Sequence, residues 1–175
     1  APIVAGLFIV APPEQITARL YSTFDPQNET VRDRIAMMRT GVRLVRDYPL
    51  MGVGPDMVEG VYADYRDPAA IQESNPHLHN VPIQIAAERG LPALLVWIAL
   101  IVAVTRSLVH QLRTGSYRSL PAGGLAAVGS MLAAGMFEYN FGDSEFLMLW
   151  LVLVTLPFAA EAEPITSDQP TTEPA

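Results

Sequence analysis

Polar and apolar positions are segregated along this chain rather than interleaved. Charged residues crowd into the first ninety positions and the last fifteen, and the stretch between them is nearly uncharged. Three apolar runs fill that stretch: GLPALLVWIALIVAVT at 90–105, LPAGGLAAVGSMLAAGMF at 120–137 and FLMLWLVLVTLPFAA at 146–160. With a few flanking residues, each approaches the roughly 17–25 residues that cross a bilayer as a helix. Three such runs would leave a water-soluble protein with little polar surface. The pattern therefore predicts transmembrane helices at 90–109, 120–137 and 146–160. The second is rich in Gly, Ala and Ser, small residues that let helix backbones approach closely in lipid. Residues 1–12, APIVAGLFIVAP, are apolar but too short to span, and they carry no basic leader or cleavage site. They are expected to be the outer end of a truncated transmembrane helix, and the chain to be the C-terminal part of a longer multi-span protein.

Loop charges set the orientation. Arg106, Arg113 and Arg118 fall in or beside the loop 110–119, which has no acid, whereas the turn 138–145 carries Glu138, Asp143 and Glu145 and no base. Basic loops stay in the cytoplasm, so the first loop is expected inside and the second outside. Residues 13–89 then form a large outer loop. The acidic, Pro- and Thr-rich residues 161–175 read as a disordered cytoplasmic tail.

Within the outer loop, Asn28, Glu29 and Thr30 signal a helix start. Ile35, Met38, Val42 and Val45 follow at helical spacing and predict an apolar stripe. Arg32, Arg39, Arg43 and Arg46 form a second stripe, with Arg34 to one side. These arginines are either a solvated or headgroup-facing surface or an anion site, because guanidinium matches phosphate oxygens bidentately and keeps its charge. The GVG at 52–54 fails the spacing of a dinucleotide loop, and Pro55 removes an amide, so a tight turn is the better reading. Residues 56–74 show no clear period and read as loop. Tyr62, Asp64 and Tyr65 could face a sugar, but plain loop residues are favoured.

NPHLHN, at 75–80, holds two of the three histidines. Asn80 is a good N-cap and Pro82 suits a first helical turn, so a helix should begin there and break at Gly90 and Pro92. His79 then sits at a helix mouth, where the positive dipole end favours a neutral ring able to accept a proton. A metal site would need a third ligand and no spaced set appears, a plain polar turn is the bland alternative, and proton transfer is the third reading.

Composition narrows the classes. Half the residues are hydrophobic and 17% are charged, as in a membrane protein. There is no cysteine, which excludes disulfides and thiolate metal sites. All eleven basic residues are arginine, and the net charge is −7, so a nucleic-acid partner is not expected.

Taken together, RIAMMRTGVRLVRDYPLMGVGPDMV, HLHNVPIQIAAERGLPALLVWIAL and EYNFGDSEFLMLWLVLV resemble the O-antigen ligase and polymerase superfamily of bacterial membrane glycosyltransferases. The carriers are an arginine opening a helix, a proline followed by G-V-G, H-N before E-x-G-L-P, and a histidine separated by ten residues from a glycine, here His79 and Gly90. A further family arginine, in an R-x-x-x-L motif, has no convincing counterpart. The resemblance implies an all-α membrane protein, a multi-span helical bundle of the GT-C type with a large helical periplasmic loop, in the bacterial inner membrane. It implies a donor glycan on undecaprenyl pyrophosphate and a sugar-hydroxyl acceptor, on the lipid A core or another glycan. His79 would be the catalytic base, and Arg34, Arg39, Arg43, His77 and Asn80 would bind substrate, with no metal or cofactor. Alternatives are an O-antigen or exopolysaccharide polymerase, a protein O-oligosaccharyltransferase, or, in another class, a solute or bicarbonate transporter. Polar residues gathered outside the spans rather than within them favour surface chemistry over transport.

Overall fold

The computed structural model describes residues 28–115 and 118–162. The expected span end at 1–12 and nearly all of the expected tail at 161–175 lie outside them. The described residues are helical and contain no strand: α1 is Glu29–Asp47, α2 Val58–Tyr65, α3 Val81–Thr114, α4 Ser119–Gly135 and α5 Ser144–Ala162, with a short 3-10 turn at Asn140–Gly142. They divide into two compact units, one of residues 28–94 with 136–139, the other of 95–115, 118–135 and 140–162.

In the first unit, Asn28 caps α1 by accepting the Thr30 amide at 2.9 Å. The face that α1 buries is not the predicted stripe. Asp33, Ala36, Met37, Thr40, Gly41 and Leu44 point inward, whereas Ile35 and Val42 are exposed. Polar residues on the buried face are satisfied locally. Asp33 accepts the Ile71 amide at 2.7 Å, and Thr40 accepts the Asp67 amide at 3.0 Å while donating to the Ala36 carbonyl. A polar residue that finds such partners can be core, which an apolar count misses. Gly41 sits where a Cβ would overlap the side chains of Ile83 and Leu78, so it brings α1 close to the start of α3.

Residues 58–65, read from sequence as loop, form α2. The helix has no side-chain cap, and the burial of Val58 and Tyr62, four apart, holds it instead. Tyr62 is fully buried in the core with Met37, Leu44, Leu78 and Ala87, so it cannot face a sugar. Burial, with the charges of Asp33 and Asp67 added, raises its hydroxyl above the usual phenol value against the opposing pull of Arg66.

Helix α3 breaks at Gly90, whose φ of 81° is left-handed. A helix end leaves carbonyls without partners, and here the Pro49–Gly54 turn supplies them. Val53 and Gly54 amides donate to the Ala87 and Glu88 carbonyls at 2.8 and 2.9 Å, and the Leu91 amide donates to the Pro49 carbonyl at 2.8 Å. A Cβ on Gly52 would overlap the Glu88 backbone, and one on Gly90 would overlap the Leu50 carbonyl. The G-V-G and E-R-G-L-P stretches are therefore two halves of one backbone clamp.

The second unit is apolar outside. Helix α3 and α5 are long and apolar enough to cross a membrane, and α4, at 17 residues, is shorter. Helices α4 and α5 pack together. Of Gly123, Gly124 and Gly129 in α4, Gly124 is the close-packed one: a Cβ there would press on Leu108 at 3.1 Å, whereas the other two face open space. Phe141 stands edge-on between Trp97 and Trp150, with ring centroids 5.9 and 6.4 Å away. Thr105 and Thr155 donate to the carbonyls of Ile101 and Leu151, so their hydroxyls need no water.

Candidate active site

NPHLHN alternates between anchors and presented rings. Asn75, Leu78 and Asn80 are buried, and His77 and His79 are half-buried between them. Asn75 donates to the Met37 sulfur and accepts the His77 amide at 3.3 Å. The Leu78 amide donates to Gln84 Oε1 at 2.7 Å. Asn80 caps α3 by accepting the Ile83 amide at 3.0 Å, and its Nδ2 donates to the Met136 carbonyl at 3.3 Å. Asn80 is thus a cap that also fastens residues 136–139 to the histidine loop.

His79 itself has φ of 49°, left-handed for a non-glycine residue. Such a conformation costs about 1–3 kcal/mol and persists only where the surroundings impose it. The buried residues on either side, Leu78 and Asn80, impose it here. The ring meets Glu138, with Nδ1 and Oε1 2.7 Å apart. A carboxylate can only accept, so Nδ1 is the donor in this contact, which in the neutral ring leaves the lone pair on Nε2. His77 turns to the next residue, its ring centroid 5.2 Å from that of Tyr139, and its buried Nδ1 has no partner among the described residues. The two rings, expected to part at helix entry, meet consecutive residues of one segment.

Below them runs a buried polar ladder on α3. Gln84 Nε2 donates to Glu88 Oε1 at 2.8 Å, the Asp56 amide donates to the same oxygen at 3.2 Å, and Arg89 pairs with Oε2 at 2.8 Å. Glu88 is 1% exposed, so these partners are what make its burial tolerable. Burial raises the Tyr139 hydroxyl above the usual phenol range, opposed by the adjacent Arg89 guanidinium and reinforced by the Glu88 and Asp56 charges. Tyr139 is therefore a neutral phenol. For Arg89, burial pulls the pKa down, but Tyr139 and Glu88 outweigh it and the guanidinium ends above its ordinary value.

The other expected residues lie on α1. Arg34 is half-buried and Arg39 exposed, and neither makes an ion pair among the described residues. Arg43 is engaged: it pairs with Asp67 at 2.9 Å and donates to the carbonyls of Tyr65 and Arg66, closing the end of α2. Arg39 and Arg43 border a shallow groove of about 390 Å³ floored by Ile35, Met38 and Val42. No hydrogen bond or ion pair joins the α1 arginines to the histidine cluster among the described residues. The guanidinium that neighbours the cluster is Arg89, through Tyr139. Among the described residues no group of three or more His, Asp or Glu could hold a metal ion.

Sequence reasoning missed Glu138, Tyr139, Gln84, Glu88 and Arg89. The ladder has a faint signal, since Asn80, Gln84 and Glu88 recur every four residues. Glu138 lies 59 positions from its histidine, and nothing local announces the pair.

A family model described as O-Antigen ligase matches residues 1–98, more than half of the chain. Neither the curated proteins nor the solved structures contain a match.

Proposed function

The chain belongs to the O-antigen ligase family, and from that premise we propose a specific reaction for it: transfer of a glycan from undecaprenyl pyrophosphate to a sugar hydroxyl of the lipid A core. Family membership and two apolar helices make it a membrane protein with a glycosyl-transfer role in polysaccharide assembly. The finer reading is a multi-span bundle of the GT-C type in the bacterial inner membrane, with residues 13–89 as the periplasmic loop that carries the site.

The observation that supports it most is the His79–Glu138 pair. Nε2 of His79 takes the proton of the acceptor hydroxyl as its oxygen attacks the anomeric carbon. The bond from that carbon to the pyrophosphate oxygen breaks, and its electron pair leaves with the pyrophosphate. In-line attack in one step inverts the anomeric centre. Glu138 holds the ring and stabilises the imidazolium that forms, the role of the third member of a triad. Arg34 and Arg39 are proposed to bind the pyrophosphate, where their charge stabilises what develops on the leaving group. Arg43 would join them only by leaving Asp67. His77 and Asn80 complete the acceptor side, His77 by the exposed part of its ring and Asn80 by holding the loop.

The test uses the full-length protein in a strain lacking its own ligase. His79→Ala should abolish O-antigen on the lipopolysaccharide ladder, a loss of about 10²–10⁴-fold for a general base. Unchanged attachment removes His79 as the base. Arg34→Lys keeps charge and loses the fork; full activity in that variant sinks bidentate phosphate binding.

A further inference from the structure

The Pro49–Gly54 turn has a tip that the clamp does not use. Leu50 is 69% exposed and Met51 82%. Among the described residues Met51 is the most exposed large hydrophobic side chain, ahead even of Val96 at 71% on the apolar stretch of α3. Tyr48, beside them, is also exposed, and its ring meets Tyr65 edge-on at 6.3 Å. Together, Tyr48, Leu50 and Met51 form a contiguous exposed apolar patch, the kind of surface that marks an interaction site.

What covers them follows from where the clamp pins the tip. The Leu91 amide donates to the Pro49 carbonyl, and Gly90 lies against the Leu50 carbonyl, closely enough that a Cβ would overlap it. Leu91 opens the apolar stretch that runs to Val104 and belongs to a helix long enough to span. The tip is thus fixed at the level where that stretch begins. Its composition is that of a membrane boundary: a tyrosine, an amphipathic ring suited to the headgroup layer, followed by two apolar side chains. Residues 48–51 carry no charge, and the preceding charges along the chain, Arg46 and Asp47, sit on the last turn of α1.

We propose that residues 48–51 form a lipid-dipping tip, with Leu50 and Met51 inserted into the outer edge of the bilayer's hydrocarbon beside α3. It would hold the histidine loop at a set height above the lipid, since the same turn donates to the Ala87 and Glu88 carbonyls at the end of the helical segment that follows that loop. Nothing in this inference depends on the catalytic roles given to His79 or the arginines.

This chain has no cysteine, so Met51→Cys, in full-length protein with any other cysteines replaced, can carry a single polarity-sensitive fluorophore. Ser74→Cys, at an exposed loop position of the same unit, is the reference. Both are reconstituted in vesicles of phosphatidylethanolamine and phosphatidylglycerol. At position 51 the emission should shift to the blue and be quenched by lipids bearing a nitroxide near the headgroup. At position 74 it should remain water-like and be quenched by iodide. Water-like emission at 51 overturns the proposal. Blue-shifted emission that nitroxide lipids fail to quench also overturns it, because protein rather than lipid then covers the tip.

Discussion

The two units of the molecule are built with opposite insides and outsides. In the first, Asp33, Thr40, Asp67, Asn75, Asn80, Gln84 and Glu88 are buried and each has a hydrogen-bond partner, with the Tyr62 hydroxyl and His77 Nδ1 the unpaired buried atoms among the described residues. In the second, Gln111 is the buried polar residue among those described, and its Oε1 is unpaired, as are the indole nitrogens of Trp97 and Trp150. There the surface is Leu95, Val96, Val102, Met148 and Val152. The first unit holds its shape with directed bonds, which a positioned histidine needs; the second presents apolar surface that lipid accepts and water does not.

That contrast can be broken at several points. The largest effect is expected at Gly90→Ala. Left-handed strain and overlap with Leu50 should together cost about 3 kcal/mol or more, read as a lower unfolding temperature of the full-length protein in detergent. Next comes a matched pair. Val96→Asp, in the second unit, should cost up to about 2.5–3.5 kcal/mol of insertion free energy, the value for a helix centre, if its 71% exposure is to lipid. Ile71→Asp, 57% exposed in the first unit, should stay within about 0.5 kcal/mol. Equal effects at both sites would erase the distinction between the units. Glu88→Leu strands Gln84 Nε2 and the Asp56 amide, for about 2 kcal/mol. Asn80→Ala removes a cap and should cost about 1 kcal/mol, with Asn80→Ser recovering most of it. Failure of that serine to recover stability would mean the bond to the Met136 carbonyl matters more than the cap.

Much of this was legible in the residues. The cap at Asn28, the helix start at Asn80 and the break at Gly90 are local chemistry, and local chemistry is written locally. The buried face of α1 was not, because Asp33 and Thr40 are core only by virtue of amides at Ile71 and Asp67, far along the chain. For the same reason α2 read as loop: eight residues with no cap are helical only because Val58 and Tyr62 have a core to enter. G-V-G and E-R-G-L-P were each recognisable, but their hydrogen bonds to one another were not. Glu138 had no signal at all before folding.

The contact between His79 and Glu138 also counts membrane crossings. Two residues that touch are on the same side of a bilayer, so the chain between them crosses it an even number of times. If α3 crosses, α4 must cross back. Seventeen residues of helix rise about 25 Å against a hydrocarbon layer of about 30 Å. A bilayer thinned around α4, or helped by its flanking residues, would make up the difference, and a chain assembled without that return crossing would leave His79 without its carboxylate.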